Sequence, residues 1–171
     1  MSKGIQAASA KVVAEIFATG VIAKGYNFQA LHEYTDDNGD IIYWRIRYRH
    51  PGGEKWMRPL HKGADNLYYL AEPPKFKDRI KPLYGLHLLA NNPSAKIWIV
   101  EGEWCADNFN RFFEKFGVME NHIAITSGSA TSAPGADWIV LRGRDCIIWP
   151  DNCESGDGYK NKVLEILRGL K

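Results

Sequence analysis

Residues 96–102, KIWIVEG, narrow the fold more than any other stretch of the chain. A short, nearly unbroken apolar run of this kind is the pattern of a strand buried on both faces of a parallel sheet. Two more runs follow, HIAITS (122–127) and DCIIWP (145–150). Between the first two lies a segment with helical character, from Glu103 to about Phe116, and a last helix is expected from Tyr159 to Leu170. LYGLHLLANN (83–92) reads as a short helix ahead of the first strand, while WIVLRG (138–143) fits either a helix or a strand. The order strand, helix, strand, connection, strand, helix defines an α/β arrangement.

The first half has a different pattern. Residues 5–18 suit an amphipathic helix with Ile5, Val12, Val13, Ile16 and Phe17 on one face and Gly20 as its stop. Strands are expected at Phe28–Tyr34 and Ile41–Arg49, joined by DDNGD (36–40), where Asn-Gly in an acidic turn signals a hairpin. WMRPLHK (56–62) reads as a third strand, held at an edge by Pro59. The proline-rich EPPKFKDRIKP (72–82) marks a connector. The expected division is therefore 1–80, an N-terminal helix with antiparallel strands, and 81–171, an α/β domain.

A formal net charge of +2 gives the chain no general attraction for nucleic acid, so any such attraction must be local. Lys11 and Glu15 interrupt the N-terminal apolar residues, which argues for a helix rather than a secretory signal. No apolar run approaches the ~20 residues of a membrane span. Three cysteines without a C-x-x-C pair suit a reducing compartment, and the cytoplasm is the expected location.

Two of the buried strands end in acid. Glu101 precedes Gly102 at the end of the first, and Asp151 follows Pro150 at the end of the third. Ligands of open α/β sheets bind beyond the carboxyl ends of the strands, and Mg2+ accepts one or two carboxylates together with water and phosphate oxygens. Spacing alone equally allows acids that cap helices or face water. The loop SGSATSAPGA (127–136) offers hydroxyls and backbone N–H groups for a phosphate at Ser127, Gly128 and Ser129. It lacks the lysine of a Walker loop, which excludes that type of ATPase site. The histidines (His32, His50, His61, His87, His122) have no ligand spacing.

IVEGEWCADNF, ITSGSATSAPGADW and LRGRDCIIWPDNCESGDGYKNKVLEIL, in that order, resemble the TOPRIM domain of phage and plasmid primases over residues 95–171. The strand-rich segment upstream resembles, more distantly, what precedes TOPRIM in primase-helicase proteins. The resemblance implies a Rossmann-related parallel sheet and metal-dependent nucleotidyl transfer in DNA replication of a phage or mobile element, with Mg2+ or Mn2+ as cofactor. Glu101 falls on the family's acid/base or metal-positioning glutamate, Asp151 on a metal ligand, and Gly156 on the glycine that turns the chain toward the last helix. The implied partners are single-stranded DNA, nucleoside triphosphates, and a helicase or other primase domain of a larger protein.

Cys153 and Cys105 stand where the family carries aspartates. A thiol is a poor ligand for a hard cation. Three readings follow: one Mg2+ on Glu101 and Asp151 aided by Glu154 or Asp157; a nucleic-acid-binding module without catalysis; or a soft-metal or redox pair of Cys105 and Cys153. A TOPRIM nuclease using the same acids is a further alternative.

Basic residues form the last feature. Arg45, Arg47 and Arg49 alternate along one strand, and Lys55, Arg58, His61 and Lys62 follow on the next. They suit either phosphate contacts or a solvated face. Trp44, Tyr48 and Trp56, on the opposite side, suit a core. Arg142 and Arg144 precede the acidic strand, where they either reach a nucleotide phosphate or neutralise nearby acids such as Asp145.

Overall fold

The computed structural model describes residues 4–76 and 80–170. The chain is a mixed α/β protein with an antiparallel sheet and a separate three-stranded parallel sheet. It divides into two compact units, residues 1–34 with 41–78, and residues 35–40 with 79–171. The hairpin tip at 35–40 thus groups with the second unit. Part of the expected connector, 77–79, lies outside the described residues. Among the described residues no helix is long and apolar enough to cross a membrane.

In the first unit, α1 (Ala10–Ile22) precedes β1 (Asn27–Thr35), β2 (Ile41–Arg49), β3 (Lys55–Lys62) and β4 (Tyr68–Tyr69), which pair in the order β1-β2-β3-β4. Ser9 caps α1 by accepting from Val12 N. The buried face of α1 is Ala10, Val13, Ala14 and Ala18, packed against Ile46, Tyr48 and Leu60. The amphipathic expectation therefore needs correction, because Val12 and Ile16 are exposed. Small residues bring helix and sheet close, and the helix runs on through Gly20 to Ile22. The β1–β2 turn is organised by Asp36, whose Oδ1 accepts from Asn38 N and Asp40 N, with Gly39 at φ +90°. Pro59 pairs with Arg45 on β2, while on the other side of β3 the strand β4 pairs with His61 and Lys62. The outer side at Pro59 is thus free of a partner strand although β3 is interior to the sheet.

In the second unit, α2 (Leu86–Asn91), β5 (Lys96–Val100), α3 (Glu103–Lys115), β6 (His122–Ile125), β7 (Cys146–Trp149) and α4 (Glu154–Gly169) follow in order. The strands are parallel, in the order β6-β5-β7. Ile97 and Ile99 of β5 enter a core with Leu89, Trp138, Tyr159 and Val163. Trp98 and Val100, on the opposite face, pack with Ala106, Phe109 and Phe113 of α3. Cover on both faces is why β5 reads as a continuous apolar run. WIVLRG forms a short 3-10 helix at Ile139–Leu141, the helical one of the two alternatives. The β6 edge is closed by a side chain: Asn110 Nδ2 donates to Ala124 O (2.8 Å) and its Oδ1 accepts from Ala124 N (2.7 Å). Helix α4 begins five residues before the expected start at Tyr159, so Glu154 and Asp157 lie in its first turn.

Candidate active site

Strand order decides what Glu101 and Asp151 can do. Val100 and Trp149 are register partners at the ends of β5 and β7. Glu101 follows the first by one residue and Asp151 follows the second by two. Adjacent strands lie about 4.8 Å apart, so both acids leave the sheet at neighbouring carboxyl ends. The chain passes from β5 to β6 on one side and then to β7 on the other, which makes the gap between β5 and β7 the switch point of the sheet. Ligands of open α/β sheets bind at such points.

Two features of α4 hold these ends. Gly156 packs directly on the Asp151 backbone, where a Cβ would meet Asp151 O at 2.0 Å. The glycine is needed for this close approach. It lies within the helix, not at a turn leading into it. Three residues later, buried Tyr159 places its hydroxyl 3.2 Å from both Val100 O and Ser127 Oγ. Burial pushes the phenol's pKa up, so it stays a neutral hydrogen-bonding group. The residue immediately before Glu101 is thereby tied to α4 and to the end of β6.

Cys105, in the first turn of α3, lies in the field of both acids. Burial first, then Asp151 and Glu101, push its thiol pKa up. It is therefore protonated at neutral pH, not a ready-made thiolate ligand. Cys153 is the exposed N-cap of α4, and its Sγ lies 3.1 Å from Ser155 Oγ. All three cysteines are free. Glu154 and Asp157 are exposed in the first turn of α4, and Asp157 pairs with Lys160 at 2.6 Å. Among the described residues, no group of three or more His, Cys, Asp or Glu side chains is arranged to hold a metal ion. The expected set, Glu101 and Asp151 with Glu154 or Asp157, is not assembled. Glu101 and Asp151 remain at neighbouring strand ends, and carboxylate oxygen is the donor type that Mg2+ takes alongside water and phosphate oxygens.

The other expected site residues fall elsewhere. Arg144 donates to Asn92 O (2.7 Å), Ala95 O (3.3 Å) and Leu89 O (3.5 Å), and Arg142 Nε donates to Leu170 O (3.0 Å). Both arginines precede β7, at the amino ends of the strands, where Lys96 also pairs with Asp145 (3.3 Å). Five residues of extended chain separate Lys96 from Glu101, about 16 Å, so a nucleotide phosphate at the acids is out of their reach. In the loop after β6, Gly128 N donates to Thr126 Oγ1 (2.9 Å) and Ser129 N to Ser132 Oγ (2.8 Å), while Ser132 Oγ donates to Ser127 O (2.7 Å). Buried Ser127, Gly128 and half-buried Ser129 thus spend these groups inside the loop, and a phosphate cradle does not form there.

The arginines of β2 do not form one exposed stripe. Arg49 is exposed, Arg45 half-buried and Arg47 only 8 % exposed. The segment after β4 covers part of this face, since His61 Nδ1 lies 2.9 Å from Ala71 O and Tyr43 contacts Phe76. Register puts Lys55 opposite Arg49 on that face, but Arg58 opposite Ile46 on the other, where its guanidinium lies over Trp56. Trp44, Tyr48 and Trp56 join the α1 core.

Two residues escaped the sequence reading. Glu103 is 1 % exposed in the first turn of α3, and Tyr159 is equally buried. An acid at a helix start reads as a solvent-facing cap, and only its place two residues after Glu101 hinted otherwise. Comparison with known proteins gave no matching family model, no matching curated protein and no matching solved structure.

Proposed function

We propose that residues 81–171 are a TOPRIM-type nucleotidyl-transfer domain of primase character, using Mg2+ or Mn2+ at Glu101 and Asp151. The observation that carries this reading is the adjacency of β5 and β7, which brings the two motif acids to one switch point. Asp151 is the metal ligand, and Glu101 either shares the ion or accepts the proton of an attacking 3′-hydroxyl. The bound cation supplies neutralisation of charge on the phosphorus oxygens. Gly156 and Tyr159 keep the two acids at a set separation. Single-stranded DNA and nucleoside triphosphates are the substrates in this reading, and a helicase or another primase domain is the partner.

A second reading, a nucleic-acid-binding module without catalysis, is favoured by the cysteines at positions 105 and 153 and by the lack of a three-ligand group among the described residues. Calorimetry with Mg2+ and Mn2+, in the presence of single-stranded DNA and a nucleoside triphosphate, separates the two. Binding that Asp151→Asn abolishes supports the catalytic reading. No binding by either protein refutes it. A phosphodiester cut without triphosphate identifies a nuclease instead.

A further inference from the structure

Three large aromatic side chains of the second unit are more than half exposed: Phe112 (57 %), Phe116 (59 %) and Trp149 (53 %). They are not scattered. Cys105, Phe109, Phe112 and Phe116 recur at i, i+4, i+7 and i+11, one flank of α3. Phe109 contacts Trp149, and Phe112 contacts Phe116 with ring centroids 4.6 Å apart. The flank starts at Cys105, in the field of Glu101 and Asp151, and runs about 16 Å to Phe116. That length accommodates a few nucleotides.

Cations accompany the rings. The Arg111 guanidinium lies 5.8 Å from the Trp104 ring centre, and Lys115 Nζ lies 5.8 Å from that of Phe116. Of the acids of α3, Asp107 and Glu114 line a cleft together with Arg111, Tyr84 and His87, and Asp107 accepts from Tyr84. Exposed rings with cations beside them match the two demands of a single nucleic-acid strand, bases to stack and phosphates to neutralise. A hydrophobic protein partner would need the rings but not the cations.

We infer that the Phe112–Phe116 flank of α3, with Trp149, Arg111 and Lys115, is a docking track for single-stranded nucleic acid leading to the strand-end carboxylates. The direction of the track rests on the proposed role of Glu101 and Asp151, whereas binding to it does not. The test is anisotropy of a fluorescein-labelled dT16 strand titrated with the full chain in EDTA, so that no metal contributes. Phe112→Ala and Phe116→Ala should each weaken binding about 10-fold, within the range for losing one stacked base. Arg111→Ala and Lys115→Ala should each lower the slope of log affinity against log salt by about 0.7. Exposed positions make these variants safe for folding, and circular dichroism verifies that. Affinity within twofold of wild type in both phenylalanine variants overturns the inference, as does a wild type that does not bind dT16. Self-association that the phenylalanine variants abolish, without a change in dT16 affinity, also overturns it in favour of a protein interface. Loss of this track leaves the metal calorimetry untouched, so the two proposals fail separately.

Discussion

Gly156 offers a test with an internal control. In Gly156→Ala the new Cβ would stand 2.0 Å from Asp151 O, 2.9 Å from its carbonyl carbon and 3.0 Å from its nitrogen. All three are backbone atoms, so no side chain can rotate away. Relief requires moving the contact from 2.0 Å to at least the 3.4 Å of ordinary packing, a shift of about 1.4 Å between α4 and the Asp151 segment. Alanine normally gains about 1 kcal/mol over glycine inside a helix, while overpacking a tight contact costs about 1–3 kcal/mol and sometimes more. At the upper end of that range the net loss is about 2 kcal/mol, or roughly 4–8 °C in Tm for a chain of this size. Gly158, two residues on in the same helix, has nothing within 4 Å of its would-be Cβ. Gly158→Ala should therefore raise Tm by roughly 2–4 °C. Scanning calorimetry of both variants gives opposite signs if the geometry is right. A Gly156→Ala protein as stable as Gly158→Ala would refute the reasoning. Its metal affinity should fall as well, because the shift is applied to the segment carrying Asp151.

Arg144→Ala should lower Tm without changing dT16 affinity, since Arg144 ties together the carbonyls of Leu89, Asn92 and Ala95; parallel melts and anisotropy titrations check this, and a weakened dT16 complex would return Arg144 to the nucleic-acid surface. Burial and Asp145 push the Cys146 thiol from an ordinary 9.0 up to about 11, with Arg144 opposing them. Because the folded pKa is the higher one, the stability linked to this thiol is fully present below about pH 9 and is lost as pH rises toward 11. Denaturant titrations at pH 8 and 10.5 should therefore show a smaller alkaline loss in Cys146→Ala than in wild type; equal losses would contradict the assignment.

Local pattern carried much of this protein in its sequence. Alternation in the first half and continuous apolar runs in the second are direct consequences of strands covered differently on their two faces. DDNGD announced its hairpin because Asp36 and Gly39 satisfy the turn within a few residues. Glu101 and Asp151 were legible as strand-end acids for the same reason, since each needs only its own strand to be recognised. What depended on distant partners was not legible. Nothing local says that β7 lies beside β5, yet that adjacency is what brings the two acids together. Arg144 is indistinguishable in sequence from a phosphate ligand until three carbonyls from the segment before β5 close around it. Arg47 reads as solvated until the fold buries it. The start of α4 was hidden because Gly156 and Gly158 look like turn residues, and one of them is instead required by contact with Asp151. Periodicity records which face of an element is covered, because every residue on that face obeys the same solvent rule. Which element does the covering is set by long-range packing, and only the tertiary structure decided it.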